Sequence, residues 1–183
     1  MPDLYSVAIC FPENIKSAVR EMKESLAKRA GRFPNQNADV HITFNVFTAD
    51  ANQLFADEKD LENFCKGVSP FTIRLTHTAY FKDNGTCYLA PDEGSKRILI
   101  DLMNRFNKIA RVQLLNKPNP HATLARKLKE QQMEIARELF EGKQFNIVYC
   151  CDSLTIRKFN PAIGQYEEYE HFKFGGDEQL LLF

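Results

Sequence analysis

Two periodicities divide this chain, and they follow one another in the same order twice. Leu4 to Phe11 is a run of apolar, β-favouring residues stopped by Pro12, which predicts a buried strand. Ile15, Val19, Met22 and Leu26 then recur at helical spacing among charged residues, predicting an amphipathic helix over 12–28. Residues 30–37 are rich in Gly, Pro and Asn and read as a loop. From Asp39 to Phe47 the period becomes two. Val40, Ile42, Phe44 and Val46 form an apolar face, and Asp39, His41, Thr43 and Asn45 a polar one. Asp50 is placed to cap a helix reaching about Cys65, which Gly67 and Pro70 end. Phe71 to Phe81 alternates again, with Phe71, Ile73, Leu75, Ala79 and Phe81 on one face and Thr72, Arg74, Thr76, Thr78 and Tyr80 on the other.

Asp83-Asn84-Gly85 is a strong hairpin turn signal, returning the chain through residues 86–90, and the order then restarts. Ile98, Leu102, Phe106 and Ile109 mark a helix over 93–110, followed by a Pro/Asn loop at 116–120. A strand over 121–125 and a helix over 128–140 come next, with Gly142 as the stop. Residues 145–159 read as one strand, bent near Cys151-Asp152, and a turn at 160–164 leads to a last strand over 166–174. Each half is strand, helix, strand, helix, strand. The pattern predicts an α+β fold in a single domain over 1–183, made of two pseudo-symmetric lobes of about 1–85 and 86–183. Antiparallel-rich sheets would line a central groove with helices outside.

Charge narrows the partners. Lys+Arg and Asp+Glu are equal at 24 each, which argues against coating long nucleic acid by phosphate neutralisation. A small anionic ligand held by a few local cations fits that balance. The five cysteines are odd in number and show no Cys-x-x-Cys spacing, as expected of reduced thiols in a cytoplasmic protein. The first residues lack a basic segment followed by an apolar one, and no apolar run is long enough to span a bilayer. A monomer without membrane attachment is the expectation.

The candidate chemistry lies in two tetrapeptides 80 residues apart, His41-Ile42-Thr43-Phe44 and His121-Ala122-Thr123-Leu124. On a strand, His and Thr share one face while their neighbours enter the core. Duplicated lobes can bring two such histidines across a groove from each other. An imidazole has an unperturbed pKa of about 6.5, so one ring can take a proton while the other gives one, which suits phosphodiester cleavage. The hydroxyls of Thr43 and Thr123 can donate to the non-bridging oxygens of a phosphate. Arg126, just beyond the second motif, is the first candidate for the phosphate's cation, with Arg74 and Arg157 behind it. His77 shares its parity with Phe71, Ile73 and Leu75 and reads as a packing residue; His171 reads as structural. The four histidines show no metal-ligand spacing.

The paired His-x-Thr-x motifs, one per half, resemble those of the 2H phosphoesterase superfamily. The run from His121 to Arg126 resembles the second motif of the bacterial RNA 2′,3′-cyclic phosphodiesterases, also called 2′-5′ RNA ligases. The resemblance extends to the closing strand from Asp152 to Lys158 and its hairpin. It implies the two-lobed fold, chemistry without a metal or other cofactor, catalytic roles for His41, Thr43, His121 and Thr123, and RNA ends or small cyclic nucleotides as substrates. Asn45-Val46-Phe47 after the first motif departs from the Ala-Phe-Leu-Gly type common in the RNA enzymes. Another small phosphodiester, such as an ADP-ribose cyclic phosphate or a 2′-5′ linkage, and a non-catalytic nucleotide-binding module therefore stay open beside the first reading.

Overall fold

The computed structural model describes residues 2–176. Its elements are β1 (Asp3–Cys10), α1 (Glu13–Ala30), β2 (His41–Ala49), α2 (Ala51–Lys66), β3 (Phe71–Phe81), β4 (Thr86–Pro91), α3 (Glu93–Ile109), β5 (Ala122–Ala125), α4 (Glu130–Phe140), β6 (Ile147–Cys151), β7 (Ser153–Asn160) and β8 (Gln165–Lys173). The helices start where the sequence supplies caps. The Asp50 side chain accepts from the amides of Asn52 and Gln53 while Gln53 returns a bond to Asp50, and Asp92 accepts from the Ser95 amide.

All eight strands form one antiparallel sheet in the order β6-β3-β4-β5-β2-β1-β7-β8. The two motif strands lie side by side at its centre, joined by the single pair Ile42↔Ala122. A pseudo-twofold relation runs through that pair with a constant offset. Ala8 opposes Thr43 in one half, and Tyr88 opposes Thr123 in the other. The helices follow the same offset, Pro12 standing before α1 as Asp92 stands before α3.

The outer strands break the expected lobes. β3, which its place in the sequence puts in the lobe of residues 1–85, pairs with β4 and β6. β7, from the other half of the chain, pairs with β1. The half of the sheet around β1 and β2 thus takes both outer strands, β7 and β8, from the other half of the sequence, and the half around β4 and β5 takes β3. Residues 145–159 are likewise two strands. Asp152 is the only residue between β6, on one edge, and β7, next to the other edge strand, so the sheet must curl until those strands approach each other.

Four bulges reset the alternation among the described strands, in β2, β3, β5 and β8. β2 carries an extra residue at Phe44, between the pairs Ala8↔Thr43 and Val7↔Asn45; β5 carries one at Leu124, between Tyr88↔Thr123 and Cys87↔Ala125. The amide that follows each of these two motif-strand bulges finds an asparagine: Val46 N donates to Asn45 Oδ1, and Arg126 N to Asn35 Oδ1. The first bulge overturns the expected faces there, since Asn45 is buried and Val46 is exposed. In β3 a shift between Leu75 and His77 moves His77 off the Ile73–Leu75 face, so this exposed histidine is not the packing residue that its parity suggested.

One face of the sheet carries the core. Ile9, Ile42, Phe44, Leu75, Leu89, Ala122 and Leu124 are buried there, and α4 accepts hydrogen bonds from Thr78 and Tyr80 on that side. The opposite face holds the motif side chains.

Candidate active site

His41 and His121 enter this face from the first residue of β2 and the residue before β5. Continuing the Ile42↔Ala122 register sets His41 beside Thr123 and Thr43 beside His121, so the two motifs interleave. The two imidazoles are diagonal neighbours, a relation that separates Cβ atoms by about 7 Å and leaves room for one tetrahedral group between the rings.

Both rings are anchored alike. His41 Nδ1 lies 2.7 Å from the Asp39 carbonyl, and His121 Nδ1 lies 2.7 Å from the Asn119 carbonyl. A carbonyl can only accept, so each Nδ1 carries the hydrogen and each Nε2 is left for chemistry. The carbonyl two residues upstream serves in both halves, which is the duplication at the level of one hydrogen bond.

The surroundings of the two rings differ. His41 is half-buried and opposes Cys10. Burial, the charge of Arg157, and more weakly Lys23 and His121, outweigh the bond to Asp39 and push the His41 imidazole down to about 3. It is therefore neutral near pH 7, with an open lone pair on Nε2. His121 instead packs between two aromatic rings, with centroids 5.1 Å from Phe81 and 5.2 Å from Tyr88. The pseudo-twofold explains the contrast. Phe81 opposes Thr86 as Arg157 opposes Ser6, and Tyr88 occupies the place of Ala8. One histidine has a cation and a small residue where the other has two aromatics.

Of the three candidate arginines, Arg157 is the nearest fit. It is 4% exposed, donates from Nη2 to the Tyr166 carbonyl, and makes no ion pair among the described residues. Its guanidinium lies 5.3 Å from the centre of the Tyr166 ring. A buried guanidinium with donors to spare is poised for an anion. Arg157, Tyr166, Lys16 and Asn37 line a cavity of about 330 Å³ together with His41. Arg126 is exposed just past β5, its backbone held by Asn35 and its charge felt at Tyr166, which places it at the rim of the same region. Arg74 stands apart. It lies two strands from His121, paired with Val148 of β6, and its backbone bonds Ser95 Oγ and the Asp92 amide at the start of α3.

Other groups near the site escaped the sequence reading. Tyr166, Phe81 and Tyr88 carry no local signal that a hairpin tip or a neighbouring strand brings them to the motifs. His171 contacts Thr155 at 3.0 Å and Glu168 at 3.3 Å, on the strand pair beside β1. Among the described residues, no group of three or more His, Cys, Asp or Glu side chains is arranged to hold a metal ion.

Residues 11–161 match the pattern of the 2′-5′ RNA ligase superfamily. The chain belongs to that superfamily. Solved structures with the same fold include E. coli LigT complexed with 3′-AMP, at 19% identity and a TM-score of 0.66 over 96% of this chain and 100% of that one. The protein TT0787 of Thermus thermophilus is 19% identical with a TM-score of 0.64, over 97% of this chain and 100% of its own. A protein described as a phosphoesterase is 20% identical with a TM-score of 0.64, over 96% of this chain and 100% of that one. No curated protein sequence matches. The curled antiparallel α+β fold of this superfamily is thus the fold of the present chain.

Proposed function

We propose that this protein hydrolyses 2′,3′-cyclic phosphate ends of RNA or nucleotides by general acid–base catalysis without a metal. The observation that carries the reading is the Ile42↔Ala122 pair, which interleaves two His-x-Thr motifs whose imidazoles are both held through Nδ1. His41, kept neutral, is the base. Its Nε2 takes a proton from water as the water oxygen attacks phosphorus. His121, protonated, gives its Nε2 proton to the departing ribose oxygen as that P–O bond breaks. One water is consumed and a monoester remains, the 2′-phosphate if the chain follows the RNA enzymes it resembles. Solvent then resets the two rings. Thr43 and Thr123 donate to the non-bridging oxygens, and Arg157, with Arg126 at the rim, balances their charge. Support for a nucleotide ligand comes from the fold neighbour LigT, whose solved complexes hold 3′-AMP, NADP+ or ATP.

The test is a panel of adenosine 2′,3′-cyclic phosphate, cyclic-ended oligonucleotides and 2′-5′ oligomers, incubated with the protein in EDTA and followed by ³¹P NMR. Conversion of the cyclic phosphates to monoester, unchanged by EDTA, is the expected result. Folded protein that turns over none of them would favour the binding-module reading. Activity lost in EDTA and restored by a divalent cation would refute the two-histidine mechanism.

A further inference from the structure

Lys23 is a lysine inside the protein. It lies on the inner face of α1, is 2% exposed, and has no carboxylate in ion-pair range among the described residues. Its ammonium instead donates to two carbonyls of the following loop, Ala38 O at 2.5 Å and Asn35 O at 3.2 Å. Burying a charge without a counter-ion is costly, and a methionine or leucine would fill the place without that cost. The protein makes that substitution itself. Met103 stands 80 residues on, at the corresponding position of α3, and is also buried. In that half the loop before the histidine is held by a neutral side chain, Asn107, which bonds both the amide and the carbonyl of Leu114.

The loop that Lys23 pins touches both motifs. Asp39, next to Ala38, supplies the carbonyl that fixes His41. The Asn35 side chain reaches the second motif, donating to Leu124 O at 3.2 Å and accepting from Arg126 N at 2.9 Å. The ammonium's two acceptors therefore sit over the two points where the loop holds the active face. Its positive charge also acts on the His41 ring in the direction of the neutral form.

We propose that Lys23 is a positioning residue that holds Asp39 O against His41 Nδ1 and so keeps the Nε2 lone pair of His41 free for the reaction, a role Met103 does not play for His121. This rests on the two-histidine reading, so the test has a readout independent of turnover. The groups facing His41 are Arg157 from β7, His121 at β5, Cys10 from β1 and Lys23 from α1, with Lys16, Asp39 and, from β8, Tyr166, Glu167 and Glu168 lining the same cavity; those facing Lys23 are Asp39, Arg126 and Arg20. Lys23→Met removes one charge from this set and puts in the residue of the other half.

Imidazole ¹⁵N NMR of Lys23→Met should show the His41 Nδ1–H exchanging faster than in the wild type and its single tautomer giving way to a mixture, while the His121 signals are unmoved. In turnover, kcat should fall roughly 10–100-fold, the scale of a misplaced catalytic group, with KM within a few-fold. Lys23→Arg, which keeps charge and donors, should restore the wild-type tautomer and exchange. If Lys23→Met does not fold, Lys23→Gln carries the same comparison. A folded variant with unchanged His41 tautomer and exchange overturns the proposal, whatever happens to activity. A wild type that turns over no phosphodiester overturns the functional reading alone, leaving the NMR result to decide the role of Lys23.

Discussion

His41 and His121 are equal in the sequence and unequal in the structure, and the proposed function turns that inequality into a division of roles. With the His41 imidazole pushed down to about 3 by burial and Arg157, the loss of activity caused by protonating the base should fall far below the ordinary imidazole range. A kcat/KM profile whose acid limb sits near pH 6.5 would refute the depressed His41 imidazole, and an acid limb that survives in a His41 variant and disappears in a His121 variant would reverse the assignment. The same shift makes stability depend on pH. Below about pH 6.5 the unfolded chain protonates this histidine and the folded one does not, so stability falls as pH drops toward 3 and is full above the unfolded value. The slope from one such group is at most about 1.4 kcal/mol per pH unit, less here because the ring is only half-buried and solvent screens it. Urea denaturation of wild type and His41→Asn at pH 7 and pH 4.5 should show the wild type losing more stability on acidification. In turnover, His41→Ala and His121→Ala should each remove most of the activity, and the double variant should be little worse, because the two rings act as one unit. Thr43→Ala and Thr123→Ala should cost less, since each deletes one hydrogen bond to phosphate and leaves proton transfer intact.

At the scale of elements, what was legible is what local chemistry dictates. The Asp50 cap, the Phe71–Phe81 strand and the Gly85 turn stand where their residues predict them. The bulges were not legible, because Phe44-Asn45-Val46 satisfies simple alternation and only the neighbouring strand reveals the extra residue. Two side chains test how these devices are held. Asn35→Ala removes the acceptor for the Arg126 amide and the donor to Leu124 O; the unpaired buried groups should cost about 1–3 kcal/mol, read as a lower denaturation midpoint with unchanged m-value. Gly85 has φ +64 and packs so closely on the segment after the second motif that a Cβ would stand 2.3 Å from Leu128 O. Neither the left-handed backbone nor that clash can be relieved by a side-chain rotation. Gly85→Ala should therefore destabilise the protein by more than Asn35→Ala and displace the Arg126–Leu128 segment, visible as amide shifts there.

For the whole molecule, the doubled motif announced the duplication and the groove, since two His-x-Thr runs on buried strands have few other reasons to recur. The exchange of outer strands was hidden. Alternation in β3 fixes which of its faces is apolar but names no partner, and β4 and β1 offer nearly equivalent edges across the pseudo-twofold. This exchange has a consequence for cooperativity. Cutting the chain after Gly85 would leave β1 without β7, and β3 without both β4 and β6. It would also separate His41 from His121, and leave Lys23 and Asn35 holding a loop whose second anchor, β5, is gone. Neither fragment retains an independent sheet with a covered core, so neither should fold alone. Fragments 1–85 and 86–183 should each give the circular dichroism of an unfolded chain, and mixing them should restore both the sheet signal and a share of the activity. The intact chain should unfold in one transition by circular dichroism and by fluorescence alike. A fragment that unfolds cooperatively by itself would show that the sequence halves, and not the exchanged sheet halves, are the folding units.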